Sequence, residues 1–270
     1  MRRLSFVLSA ALVLNLFAVT KSNSITFGES DEGRHPNVGA LSADFDGTGT
    51  KFAFCTGTLV APKVVLTAAH CLDFLPSYGI STVYVSFNQT FDQSNTFYSG
   101  SYVPHPEYGK NQNDPKDIGV ILLNEEPLQP GTLTPLPLAK LPQAGLLDSL
   151  KAQGKLKNQV FTAVGYGQVR ETKRLGPRAI MDNANRNMVL QTFQALNKAW
   201  LRLSQNPSTG DGGTCYGDSG GPHFLGSAES DMIVAITSTG DTVCRATDVD
   251  YRLDTPSARD FLQKYGVPLP

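Results

Sequence analysis

An all-β fold is what this 270-residue sequence predicts. Two observations carry that expectation. Short runs rich in β-branched and aromatic residues recur (STVYVSFN, GVILL, VFTAV, MIVAI), and 25 glycines and 17 prolines cluster in the turns between them. The length admits one large domain or two small ones, each able to bury a core. A formal net charge of −1 with 17% charged residues leaves neither a basic footprint for nucleic acid nor an acidic tail, so no nucleic-acid partner is expected.

The chain opens with Met1-Arg2-Arg3, an apolar stretch from Phe6 to Val19 and a polar Thr20 to Ser24. This pattern reads as a secretory signal peptide over residues 1–24. The apolar stretch falls short of the ~20 residues of a membrane span, so the mature protein is expected outside the cell and free of membrane. Up to Leu138, KFAFCTGTLVAP, KVVLTAAHC, STVYVSFN and DIGVILLN read as strands between turn clusters. A Leu-, Pro- and Gly-rich stretch from Thr132 to Gly154 connects two halves, divided here as 25–138 and 139–270. The second half resumes β character in QVFTAVGYG, GPHFLG, DMIVAITST and DVDYRLD. The polar segment from Gln168 to Gly213 reads as loops with one helix, placed by the spacing around Ala184 to Leu203. The clearest helix is the last: Thr255 caps it, Pro256 suits its first turn, Ala258, Phe261, Leu262 and Tyr265 make one apolar face, and Gly266 ends it. That face is expected to pack on the second half.

Four cysteines in an exported chain predict disulfides, with three connectivities possible on paper. Cys55 and Cys71 bracket one local segment, and Cys215 and Cys244 another, so two local bridges are the economical pairing. Each would contribute ~3 kcal/mol by the loop-entropy account.

Three short segments carry chemistry. Ser219 lies in Gly217-Asp218-Ser219-Gly220-Gly221-Pro222. A serine hydroxyl needs a base to take its proton and donors aimed at the oxyanion that its attack creates. Glycines at 217, 220 and 221 let the backbone turn sharply and present bare N–H groups, those of Gly217 and Ser219. His70 follows Thr67-Ala68-Ala69, whose small side chains leave room around an imidazole, and Cys71 can tether it. Asp117 opens the apolar strand Ile118 to Leu123, where its carboxylate could be buried beside a partner. Each segment alone has an ordinary reading as a turn or a packed residue. Together they supply a base, an orienting carboxylate and a nucleophile.

TAAHC, DIGVILL and GDSGGP resemble the signature segments of the chymotrypsin/trypsin family, in that family's order of His, Asp and Ser, and Gly165-Tyr166-Gly167 adds to the likeness. The resemblance implies two six-stranded antiparallel Greek-key barrels with a C-terminal α-helix and an active site between the halves. It implies that His70 acts as general base and then acid, that Asp117 orients it, that Ser219 forms the acyl-enzyme, and that the amides of Gly217 and Ser219 form the oxyanion hole. Ile25-Thr26-Phe27-Gly28 is similar to the family's activated N-terminus, whose amine pairs with the residue at Asp218. Ser24 stands where an Arg or Lys is usual, and Ser22-Asn23-Ser24 has the form of a signal-peptidase site, so signal removal or trimming of a very short propeptide is expected to free Ile25.

The same resemblance places Gly213 at the base of the primary pocket, Asp248 on a pocket wall normally held by Gly, and Ser238-Thr239-Gly240 on the strand that pairs with substrate, with Ser238 near Asp117. Thr239 replaces a usual Trp, and four cysteines exclude the family's further disulfides. Asp248 leans the expectation toward Lys or Arg at P1. Partners are protein or peptide substrates and protein protease inhibitors; no cofactor and no metal is expected.

The same residues admit two rival readings. Gly217 to Gly221 also fits the G-x-S-x-G elbow of α/β-hydrolases, but only His223 follows the serine and βα alternation is missing. A catalytically silent relative that binds peptides or a partner in the same cleft is the other. Among lesser features, Asn88-Gln89-Thr90 is a glycosylation sequon, Asn206-Pro207-Ser208 is blocked by its proline, His105 reads as a surface turn residue, and His223 as locally packed. Cys and His spacings give no structural zinc set.

Overall fold

The computed structural model describes residues 25–170 and 180–270, so the leader on which the signal-peptide reading falls lies outside the described residues. The strands are β1 (Glu29–Ser30), β2 (Val38–Ala43), β3 (Phe52–Ala61), β4 (Val64–Thr67), β5 (Val83–Ser86), β6 (Tyr98–Pro104), β7 (Gly119–Leu123), β8 (Val160–Gly165), β9 (Val169–Arg170), β10 (Ile180–Met181), β11 (Asn187–Leu196), β12 (Trp200–Ser204), β13 (Pro222–Leu225), β14 (Ile233–Gly240) and β15 (Thr247–Arg252). The helices are α1 (His70–Asp73), α2 (Leu146–Ala152) and α3 (Pro256–Lys264).

Strands β2-β3-β4-β7-β6-β5 close into one antiparallel barrel. Strands β8-β11-β12-β15-β14-β13 close into a second, with β13 and β11 both paired to β8. Both run first-second-third-sixth-fifth-fourth, the Greek-key order that lets a chain close a barrel with short connections. The apolar runs predicted as strands supply β3, β4, β5 and β7 of the first barrel and β8, β13, β14 and β15 of the second. β1 pairs with β11 (Glu29↔Met188), so the chain's start is stitched to the second barrel. Gly57 shows how tightly the first barrel closes: a Cβ there would come within 2.7 Å of Val65 Cγ1.

The segment from Gln168 to Gly213 departs from expectation. Of it, 171–179 lie outside the described residues; the rest holds β9, β10, β11 and β12, with strands across the stretch read as helix and loop. The cause is an inverted pattern: on β11, Asn187 and Gln191 are fully buried while Leu190 is 42% exposed. Polar residues inside and an apolar one outside erase the period of two that marks a strand.

Helix α3 forms where its signals lie, with Thr255 Oγ1 accepting from the Ala258 amide at 3.4 Å and Ala258, Phe261 and Leu262 buried. As expected it contacts the second half, where Tyr251 Oη of β15 donates to Ser257 Oγ and Arg259 donates to Pro142 O, but it also touches the first. The Phe261 ring lies 4.9 Å from that of His105, which follows β6, so the helix reaches the first barrel and His105 is a buried contact, not a surface turn. One hydrophobic core runs from Val38, Leu66 and Val120 through Phe224 and Ile236 to Phe261. Disulfides join Cys55 to Cys71 and Cys215 to Cys244. Among the described residues no helix is long and apolar enough to cross a membrane.

Because Phe261 joins the last helix to the first barrel, Phe261→Ala is expected to cost about 3–5 kcal/mol. The measurement is the urea midpoint at constant slope; a loss below about 1 kcal/mol would show that the helix is not anchored there.

Candidate active site

His70 is the first residue of α1, immediately beyond β4, and its neighbour Cys71 is bridged to β3. Ala68 and Ala69 are fully buried and small, so the imidazole hangs over the barrel end with its side chain 28% exposed. Asp117 opens β7's apolar run and is 3% exposed. Its Oδ2 lies 2.8 Å from His70 Nδ1, its Oδ1 accepts the His70 amide at 2.9 Å, and Ser238 Oγ, from β14, donates to Oδ2. A carboxylate only accepts, so Nδ1 carries the proton and Nε2 keeps its lone pair.

Ser219 sits in a turn clamped by both barrels. Its carbonyl accepts the Thr56 amide at 2.9 Å, Gly220 N–H donates to Thr237 O at 2.8 Å, and Thr237 N–H donates to Gly221 O at 2.9 Å. The turn needs glycine: Gly217 and Gly220 have φ of +98° and +75°, and a Cβ on Gly220 would strike Thr67 Oγ1. The Cys71 sulfur lies 3.7 Å from His70 Nε2 and 3.6 Å from the Ser219 carbonyl, so imidazole and serine flank one disulfide. Among the described residues no hydrogen bond joins Ser219 Oγ to His70 Nε2. In resting sites such bonds are commonly long and tighten once substrate is seated.

The amides of Gly217 and Ser219 are oriented by their partner carbonyls. Tyr216 O accepts the Gln168 N–H at 2.7 Å, and Asp218 O accepts the Gly221 N–H at 2.8 Å. In a trans peptide the N–H points opposite to the carbonyl, so both amides face away from these partners and are free to donate.

Asp218 is fully buried, with Oδ1 accepting from Gly167 N–H at 2.7 Å and Oδ2 from Cys215 N–H at 2.8 Å. Loss of water raises its pKa to about 7 against those two bonds. Ile25 is fully buried against Ala163 and Val189, and Thr26 pairs with Gly213 through bonds of 3.1 and 3.0 Å. The first turn of the described chain therefore lies two residues from Cys215, Asp218's own donor, while the Ile25 nitrogen is still an amide.

Ser219 lines a cavity of about 250 Å³ together with Thr214, Tyr216, Ser238 and Gly240. Of the residues assigned to the pocket from sequence, Ser238 and Gly240 are on its wall, whereas Gly213 and Asp248 are not. Gly213 is occupied on one side by Thr26, and Gln205 fills the space where its side chain would be. Asp248 is fully buried behind Thr214, whose hydroxyl donates to both carboxylate oxygens at 2.8 Å, while Gln191 Nε2 donates at 2.9 Å. Thr214 and Tyr216, which bonds Thr242 O at 3.1 Å through its hydroxyl, were missed in the sequence. Their position between Gly213 and Ser219 was the available signal.

Two Greek-key barrels of equal strand order, with a His–Asp pair and a glycine-bracketed serine at their junction, make the chymotrypsin fold. The family model described as Trypsin matches residues 28–261, and the chain belongs to that family. It is 29% identical over 231 residues to the venom plasminogen activator LV-PA of Lachesis muta muta, covering 80% of this chain and 78% of that one. It is 25% identical over 270 residues to the CLIP domain-containing serine protease B15 of Anopheles gambiae, covering 90% and 71%. The solved structure of HL collagenase superposes with a TM-score of 0.66 at 16% identity, over 92% of this chain and all of that one, a likeness of fold.

Asp218 sets a pH dependence. Its pKa in the folded chain, about 7, lies above the ordinary 3.8, so folding takes up a proton. The Asp218 contribution to stability is fully present below about pH 4 and is lost as pH rises toward 7 while Ile25 remains peptide-bonded. Urea unfolding of Ser219→Ala protein retaining residues 1–24, at pH 4.5, 5.5 and 6.5, is expected to show this decline. A flat profile would reject it.

Proposed function

We propose that the chain is a secreted serine endopeptidase that hydrolyses peptide bonds through an acyl-enzyme formed on Ser219. The observation that carries this reading is the buried Asp117, which holds the His70 imidazole by Nδ1 and its backbone N–H while Ser238 ties the same carboxylate to the strand lining the Ser219 cavity. His70 Nε2 takes the Ser219 proton as Oγ attacks the carbonyl carbon, and the imidazolium that forms is stabilised by Asp117. The oxygen becomes an oxyanion accepting from Gly217 and Ser219 N–H, the amine leaves with the proton from Nε2, and water repeats the sequence to release the acid. Two disulfides and the leader read over 1–24 support export, since such bridges persist in oxidising compartments.

Activation follows from the same turn. Once cleavage frees Ile25, its ammonium pairs in this reading with Asp218, whose two amide bonds leave a buried charge otherwise poorly compensated. At the floor of the cavity, the Thr214 proton is committed to Asp248, so its lone pairs are what the hydroxyl shows to a bound side chain. An acceptor there favours a donor at P1, which supports Lys or Arg.

An organophosphonate probe tests the first claim: processed protein is labelled, Ser219→Ala is not. Processed wild type that resists labelling would instead favour a silent, peptide-binding relative. For specificity, Asp248→Asn turns a donor toward Thr214 and frees its proton for the cavity. Cleavage of a peptide library is expected to show kcat/KM for Lys and Arg relative to Leu falling about tenfold. An unchanged ratio would reject Asp248 and Thr214 as the source of the preference.

A further inference from the structure

Beneath the Ser219 cavity, three strands of the second barrel bring His223 (β13), Asp248 and Asp250 (both β15) together, all three fully buried. Asp248 and Asp250 are two apart on one strand and so face the same side, and β14 pairs with both strands, with Thr237 opposite Asp250. His223 Nε2 is 2.8 Å from Asp250 Oδ1, 3.7 Å from Asp248 Oδ2 and 3.0 Å from Thr237 Oγ1.

Asp250 is unlike the other buried aspartates. Asp31, Asp117, Asp211, Asp218, Asp248 and Asp254 each accept at least two hydrogen bonds. Asp250 meets only the His223 ring, through Oδ1 at 2.8 Å; its Oδ2 has no donor, and Gln191 Oε1, on the amide that holds Asp248, also lacks one. The cluster thus has a surplus of acceptors around one imidazole, in a place water does not reach, where uncompensated charge is costly.

We propose that His223, Asp248 and Asp250 form a buried divalent-cation site, zinc by its donor set, with Nε2, Oδ2 and Oδ1 as ligands and Thr237 Oγ1 as a neutral fourth donor. One nitrogen and carboxylate oxygens suit that ion. The three ligand atoms lie within 4.8 Å of one another. Tetrahedral bonds of about 2.0–2.2 Å separate ligand atoms by about 3.3–3.6 Å, so Nε2 and Asp248 Oδ2, 3.7 Å apart, are already near that spacing, and Nε2 and Asp250 Oδ1, 2.8 Å apart, open by about half an ångström when the ion enters. A dication matches the two carboxylates in charge, and Thr214 and Gln191 already fix Asp248 from behind as outer-shell partners. The other grouping of such side chains, Cys55, His70 and Cys71, is no counterpart, because both sulfurs are spent in a disulfide. The zinc site goes beyond the peptidase reading and stands whether or not Ser219 turns over peptides.

A closed site loads during folding, which dictates the experiment. Ser219→Ala protein is unfolded in guanidinium with its disulfides intact, then refolded with either zinc chloride or chelator and dialysed. Mass spectrometry of metal content is expected to find one zinc per chain in the first sample, with a melting temperature higher by about 5 °C or more than in the second. Asp250→Asn is expected to retain no zinc and to melt alike in both. Zinc-edge X-ray absorption on the Ser219→Ala sample reads the ligands without the Asp250 variant: nitrogen and oxygen only, four-coordinate. Protein that folds equally with chelator and keeps no zinc would show that a proton, not a metal, balances the cluster. Zinc retained by Asp250→Asn, or a sulfur or six-coordinate shell, would place the metal elsewhere and overturn the assignment.

Discussion

A carboxylate removed from water must be met by donors, and Asp117 meets that demand from both halves of the molecule at once. His70 contributes its ring and its amide from the first barrel, and Ser238 contributes a hydroxyl from the second. Leaving such a charge partly unmatched costs several kcal/mol, so the relative placement of the barrels is tied to the same atoms that orient the imidazole. The Ser219 turn is held the same way, through Thr56 on one side and Thr237 on the other. Chemistry and domain packing therefore share one set of bonds, and neither barrel alone could hold the site.

The chain's first turn is fixed by a second buried charge system. Arg186, 2% exposed, donates from Nε to Asp31 at 2.8 Å and from Nη1 to the carbonyls of Val38 and Phe87 at 3.1 and 3.0 Å. Burial opposes charge on Asp31, but His35 and Arg186 outweigh it and hold its carboxyl below the usual range. Tyr166, pushed up to about 12 chiefly by burial, bonds Asn88 O at 2.6 Å within the same cluster. This network locks the segment following Ile25 to both barrels, which leaves Ile25 itself in a fixed position beside Gly213 and the Asp218 turn.

What the sequence made legible follows from how local each signal was. The segments at His70, Asp117 and Ser219 are short, rich in small residues and flanked by apolar strands, so each was local enough to read, although only the three together pointed to acyl transfer. The terminal helix was legible through its cap and apolar face, yet its contact with the first barrel was not, because His105 lies 156 positions before Phe261 and carries no periodic mark. β11 was hidden by its own interior, where Gln191 and Asn187 occupy core positions. The pocket floor failed for a related reason. A pattern fixed Asp248 in the chain but could not say that Thr214 would stand between it and the cavity. Nor could spacing reveal His223 beside Asp250, since 27 residues and two strand pairings separate them.

The two barrels share a strand order but not an interior. The first is filled by Leu41, Leu59, Val65, Leu66, Val85 and Ile121, each at most 1% exposed, and so is rigid by packing alone. The second encloses Gln191, His223, Asp248 and Asp250 at the same depth. Polar groups in a dry interior are high in energy unless every donor and acceptor is matched, and that makes their arrangement sensitive to whatever supplies the missing partner. The barrel that supplies the walls of the Ser219 cavity is thus the one whose core depends on charge compensation, and His70 sits on the barrel with the apolar core. A change in the buried cluster is transmitted through Asp248 and Thr214 to the cavity floor, and through Thr237 to its neighbour Ser238, whose hydroxyl holds Asp117.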